Sequence, residues 1–180
     1  MQRTILQPPV PGPAALADLK HWLAITRESE DASLLALLDT SLAMCEAFTG
    51  QTPLVQTIEE IVPISGAAHR FTARPVRELA SAEVIAADGS RTPASANALA
   101  LAIDTDQRGS VRVLGALAGR GLAVRLVVGI AADWAQLPPP LRHGIIRLAA
   151  HHYRDQERDP ARALPPPASV TALWQPWRAM

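Results

Sequence analysis

Residues 137–157 read LPPPLRHGIIRLAAHHYRDQE. Proline fixes φ and has no backbone donor, so a helix can start at Pro138–Pro140 but cannot run through it. Beyond it, Leu141, Ile145, Leu148 and His152 recur along one side, with Ala149 flanking. At about 100° per residue, His143, Arg147, His151, Arg154 and Arg158 fall within about 80° on the other side. This spacing predicts a helix over about 139–158 with one apolar and one basic face. Such a helix is too short to be stable alone and must lay its apolar face on partners elsewhere in the chain.

Those partners lie upstream. Gly12-Pro13 is a good helix start, and Leu16, Leu19 and Leu23 follow at helical spacing with Trp22 beside them, predicting a helix over about 13–25. A second helix starts at Ser29, where Glu30 and Asp31 suit the positive end of the dipole. Leu34, Leu38, Leu42, Cys45 and Phe48 form its apolar face, Ala36, Ala43 and Ala47 lie opposite, and Gly50 ends it. Leu38, Leu42 and Phe48 are expected to meet Leu141, Ile145 and Leu148. From Pro53 the pattern changes: Leu54–Val62, Ala82–Ala86, Ala98–Ile103, Val111–Leu114 and Leu122–Ile130 are strand candidates, separated by turn signals such as Asp88-Gly89. The connections are too short for crossover helices, so the pairing should be antiparallel.

The fold class expected is α+β: a small helical bundle of two N-terminal helices plus one C-terminal helix, an inserted antiparallel β region and an extended C-terminal tail. The boundaries are an N-terminal arm 1–12, helical parts 13–50 and 137–158, a β insertion 53–135, and a Pro-rich tail 159–180. In the tail, Pro160 and Pro165–Pro167 stop the helix, yet Trp174 and Trp177 put two of the four tryptophans into the last seven residues. Exposed indole area favours burial, and Trp and Arg are enriched at interface hot spots. Val170, Leu173, Trp174, Pro176, Trp177 and Arg178 are therefore read as a docking segment for another chain, with folding back onto the chain's own domain as the competing reading.

Composition narrows the function. The 180 residues carry 17 Lys+Arg and 17 Asp+Glu, a formal charge of zero, which argues against dedicated nucleic-acid binding, where phosphate neutralisation dominates affinity. All the basic residues except Lys20 are Arg, 33 residues are Ala, and four Trp, two Phe and one Tyr make too few aromatics for base stacking. Cys45 is the only cysteine, so no internal disulfide can form. No run of about 18 apolar residues is evident and MQRTILQPPVPGP lacks a signal-peptide core, so a soluble, intracellularly made chain with no membrane span is expected.

Chemical signatures are sparse. His151 and His152 point about 100° apart and His143 lies two turns away, so neither pair nor Glu157 forms a chelate, and there is no HExxH. Cys45 lies in an apolar stripe and reads as a small hydrophobe. Asp104-Thr-Asp106 lacks the further ligands of a Ca²⁺ loop, and Gly115, Gly119 and Gly121 match no nucleotide loop. Catalytic, metal and cofactor sites are all read as none. The basic stripe His143, Arg147, His151, Arg154, Arg158 is either a solvated face partly neutralised by Asp155, Glu157 and Asp159, or a contact for an acidic partner or passing phosphate.

Four segments together resemble the head–tail connector (adaptor) proteins of long-tailed bacteriophages and gene transfer agents. They are ALADLKHWLAITRESEDASLLALLDTSLAMCEAFTG (15–50), the strand-rich middle after QTPLVQT, the proline-initiated helix of 137–157, and ALWQPWR (172–178). The ending departs from the family in having Trp174 and Trp177 where Leu and Tyr are expected. The resemblance implies a structural, non-enzymatic virion protein at the capsid–tail junction, made in the bacterial host cytoplasm. It implies a homo-oligomeric ring, typically dodecameric, that contacts the portal protein and the stopper or tail proteins. Double-stranded DNA would pass transiently without sequence-specific binding. Another neck or tail-completion protein, a stopper or tail terminator, is the nearest alternative. A small enzyme with its site in the β region is the alternative of another class.

Overall fold

The structure, a computed structural model, describes residues 2–156 and 166–179. Contacts group the chain into two compact units, one of residues 1–9 with 55–129 and one of 10–54 with 130–180. It is an α+β fold with four α-helices and two antiparallel sheets among the described residues.

The helical unit contains α1 (Gly12–Leu23), α2 (Asp31–Thr49, after a 3-10 turn at Glu28–Glu30), α3 (Pro139–Gln156) and α4 (Ala168–Trp174, followed by a 3-10 turn at Gln175–Trp177). α2 ends at Gly50, whose φ of 69° is left-handed and whose N–H donates to the Glu46 carbonyl at 2.7 Å; glycine takes this conformation without a Cβ penalty. α2 packs on α3. Leu38, Leu42, Leu141, Ile145 and Leu148 share one buried cluster, with Phe48 packed against its edge. Each fully buried Leu or Ile contributes about 1.5–3 kcal/mol. Half-buried polar ties add direction: the Trp134 indole donates to Asp18 at 2.8 Å and the Tyr153 hydroxyl to Glu30 at 2.6 Å.

Two expectations need correction here. The helical stretch Glu28–Thr49, 22 residues long, is by length and composition capable of crossing a membrane. Counting only unbroken apolar runs hid it, because Asp39, Thr40 and Glu46 interrupt the sequence without breaking the apolar face. Leu34, Leu37, Leu38, Leu42 and Cys45 of that face are buried within the helical unit. The C-terminal segment is also not simply extended. Beyond Pro167, residues 168–174 turn into α4, which packs on α3 and α2.

In the β unit, a five-stranded sheet runs in the order β1 (Gln2–Gln7), β2 (Gln56–Val62), β8 (Gly121–Val128), β4 (Val76–Ile85), β5 (Arg91–Pro93). A three-stranded sheet runs β3 (His69–Arg70), β7 (Gly109–Val113), β6 (Leu99–Ile103). β8 is central and largely buried on both sides, which explains its near-continuous apolar sequence. Residues 2–7, expected to be an arm, form an edge strand antiparallel to β2. Their polar composition carries little strand signal, and the pairing supplies the order. β4 is twice the length expected from Ala82–Ala86, because bulges between Val76/Glu78 and Leu79/Ser81 break its alternation.

Two carboxylates organise this unit. Glu60 is 2% exposed and accepts from the Thr72 N–H, the Thr72 hydroxyl and the Ala73 N–H. Glu59 accepts a two-pronged contact from Arg91 at 2.8 and 2.9 Å and a third from Arg125 at 3.3 Å. These hydrogen bonds and charges hold the Glu59 carboxyl below its usual range.

Candidate partner-docking site

The basic face of α3 forms one wall of a cleft in the helical unit. Trp22 of α1, Arg147, His151 and Arg154 of α3, and Pro167, Ser169 and Val170 at the start of α4 line about 210 Å³. Arg147, His151 and Arg154 are brought together because they stand at i, i+4 and i+7, within about 60° of one another around the helix. His151 lies 3.1 Å from the Asp155 carboxylate, off hydrogen-bond geometry, so this contact is an ion pair only when the imidazole is protonated. His143, also on the basic face, lies apart from this cleft. Its ring meets the Trp22 indole edge-on at 5.3 Å and lines a neighbouring groove with Asp18, His21, Pro139, Arg142 and Ile146. Arg158 lies outside the described residues.

Trp22 is the residue that sequence reading passed over. It is 43% exposed between the two grooves. The signal was present: Leu16, Leu19 and Leu23 define the apolar face of α1, and an indole next to that stripe rather than within it must stand at the rim.

The tail residues split. Val170 and Trp174 are buried, 1% and 0% exposed, in the apolar cluster of their own helical unit. The Trp174 indole donates to the Leu141 carbonyl at 3.4 Å and lies 5.9 Å from the Phe48 ring. Gly144 leaves the space: a Cβ there would overlap the Trp174 indole. The reading in which Val170 and Trp174 reach into another chain is therefore corrected for these two, since burying them at home already removes their apolar area from water. Leu173 and Trp177 are half-buried against the same cluster, and Pro176 and Arg178 are exposed. The Arg178 guanidinium lies 5.5 Å over the Phe48 ring. Gln51 donates to the Trp177 carbonyl at 2.6 Å, and the Ala179 N–H donates to the Thr49 carbonyl at 2.8 Å, so the end of the chain is tied to the end of α2.

Cys45 is buried, and desolvation, with the Glu46 charge, pushes its thiol up to about 12, so it is a thiol rather than a nucleophile at neutral pH. Asp104 and Asp106 lie in the turn between β6 and β7, where Asp104 accepts from the Arg108 N–H at 2.8 Å. Among the described residues no group of three or more His, Cys, Asp or Glu is placed to hold a metal ion.

His152 gives this region a pH dependence. Burial, reinforced by His151 and opposed by Asp155, holds its imidazole below 6.5, and its buried Nε2 has no hydrogen-bond partner among the described residues. The unfolded chain takes up a proton near pH 6.5 that the folded chain refuses. Stability from this residue is therefore complete above that pH and is lost as pH falls below it toward the depressed folded value. The denaturation midpoint is expected to drop on mild acidification, and His152→Gln should flatten that slope. An unchanged slope in the variant would assign the pH dependence elsewhere.

No family model matches the sequence, and no curated protein matches it. Solved structures do. A chain in the neck of an empty GTA particle computed with C6 symmetry matches with TM-score 0.78 and 24% identity. A chain in the virion of a native gene transfer agent (GTA) particle matches with TM-score 0.76 and 24% identity. A chain in the neck of a native GTA particle computed with C12 symmetry matches with TM-score 0.77 and 26% identity. Each match covers 100% of this chain and 96% of the other. The chain shares its whole fold, both units included, with these neck and virion chains.

Proposed function

We propose that this chain is a structural neck protein of a phage-like particle, a head–tail connector (adaptor) that forms a ring beneath the portal. The observation that carries the reading is full-length likeness to chains from symmetric GTA necks, with C6 and C12 symmetry. In such a ring, of twelve copies by analogy with the C12 match, one face of each subunit complements a different face of the next. The zero net charge suits a conduit, because a wall that released many counterions on DNA contact would hold the DNA it must let pass.

The cleft of Trp22, Arg147, His151 and Arg154 is the proposed contact for an acidic surface of the portal or of a stopper or tail protein. An exposed indole beside two guanidinium groups combines the residue types that dominate interface energy. Leu173, Pro176, Trp177 and Arg178, beside the end of α2, are a second proposed contact, with Val170 and Trp174 as its buried footing. Reversing both charges, Arg147→Glu with Arg154→Glu, should leave the melting temperature within a few degrees of wild type, because neither residue is buried. Particle assembly should fall by about 10-fold or more, since like-charge juxtaposition at an interface costs several kcal/mol. Counting joined particles by negative-stain microscopy reads this out; wild-type numbers would make the stripe a solvated face. Particle reconstruction with the chain labelled tests the adaptor reading itself: density directly under the portal supports it, whereas density at the stopper or tail-terminator level reassigns the ring.

A further inference from the structure

We propose that the outer edge of β6 is a strand-addition site for a second copy of this chain, filled by the β1 edge of the next subunit. β6, Leu99-Ala-Leu-Ala-Ile103, ends its sheet and, among the described residues, pairs only with β7. The backbone bonds flanking it fix which groups face out. Leu114 N–H donates to Ala98 C=O and Asp104 N–H to Arg108 C=O. Hydrogen-bonded pairs alternate along an antiparallel ladder, so Ala98, Ala100, Ala102 and Asp104 bond toward β7. Leu99, Leu101 and Ile103 then turn their N–H and C=O outward. The same edge exposes the side chains of Leu101 and Ile103, 39% and 45%. Edge strands are ordinarily blunted by charge, proline or a bulge; none of these lies within residues 99–103.

The occupant follows from the ring reading above, on which this inference rests. A ring contact joins two different faces of the same chain, so β6 must meet another edge. β3 has two residues and β5 has three, ending in Pro93; among the described residues the longer edge is β1, six residues with an irregularity between Ile5 and Gln7. β1 also exposes apolar side chains, Ile5 at 50% and Leu6 at 42%. In an antiparallel pairing the start of β1 lies at the end of β6, which brings Thr4 near Ile103. A five-residue edge is about 17 Å long and covers roughly 200–300 Å² per partner, well below the ~800 Å² per partner of a stable interface. The contact therefore holds when the ring closes or is templated, not as a free dimer.

Leu101→Pro is the diagnostic variant. It removes an outward N–H and leaves the β7 ladder intact; Ile103→Lys, on an exposed site, is a second variant should the first fail to fold. Both should keep the wild-type circular dichroism spectrum, and ring yield in purified particles should fall by about 10-fold or more, because the lost contact recurs around the ring. Paired cysteines, Thr4→Cys with Ile103→Cys, should cross-link neighbouring subunits into a ladder of oligomers on oxidation, with buried Cys45 silent. Rings that form normally in Leu101→Pro and Ile103→Lys, with no cross-linking of the cysteine pair, overturn the edge pairing and leave the ring reading standing. Particles in which the wild-type chain forms no ring overturn both.

Discussion

Replacing Trp174 by alanine is expected to destabilise the helical unit by about 3–5 kcal/mol, the range for emptying a buried aromatic site. The indole is wholly buried between α4, α3 and α2 and donates to the Leu141 carbonyl, so the variant loses apolar area, packing and a hydrogen bond together. Whole domains are stable by about 5–15 kcal/mol, so a large share of the unit's stability goes with one side chain. Deleting 168–180 should act the same way and yield an unfolded or aggregating helical unit rather than a folded chain lacking a tail. Gly144→Ala is the matched test from the opposite side. In an exposed helix interior this change gains about 1 kcal/mol. Here the new methyl overlaps the indole, and overpacking costs about 1–3 kcal/mol. Chemical denaturation of the three proteins reads these effects; a folded truncation with wild-type stability would show that the segment only rests on the unit.

Glu60→Ala is expected to cost about 2–4 kcal/mol in the β unit. Its carboxylate is the shared acceptor for two N–H groups and a hydroxyl at residues 72–73, in a site 2% exposed. Removing it leaves the buried Ala73 N–H without a partner at about 1–3 kcal/mol and empties the carboxylate's own buried site, whereas the donors of exposed Thr72 can turn to water. Glu60→Gln keeps one acceptor oxygen and should fall between wild type and alanine. Loss of hydrogen-exchange protection confined to residues 72–73 and their neighbours would mark the mechanism. Uniform loss across the β unit would instead mean that the loop and the sheet unfold together.

The amino-acid sequence by itself determined the elements whose signal is local. Pro138–Pro140 and Gly50 mark a helix start and a helix end, and the Leu34/Leu38/Leu42 and Leu141/Ile145/Leu148 stripes have helical period, so α2 and α3 and their meeting could be read from spacing. β8 was legible because a central strand is apolar along its whole length. The order of segments along the chain was enough to carry the likeness to neck proteins, which full-length structural similarity supports at the level of the fold.

Tertiary structure decided what depends on partners far away in sequence. Gln2–Gln7 becomes a strand because β2 offers its edge 50 or more residues later, not through its own propensity. α4 has only seven residues, too few to nucleate alone; it exists because Gly144 leaves room for Trp174. The same fact reversed the reading of Val170 and Trp174. Sequence shows that an indole seeks burial but not whose pocket it fills, and the nearer pocket costs less ordering entropy. The cleft of Trp22, Arg147, His151 and Arg154 also arose only on folding, when α1 and the start of α4 came to flank the basic face of α3.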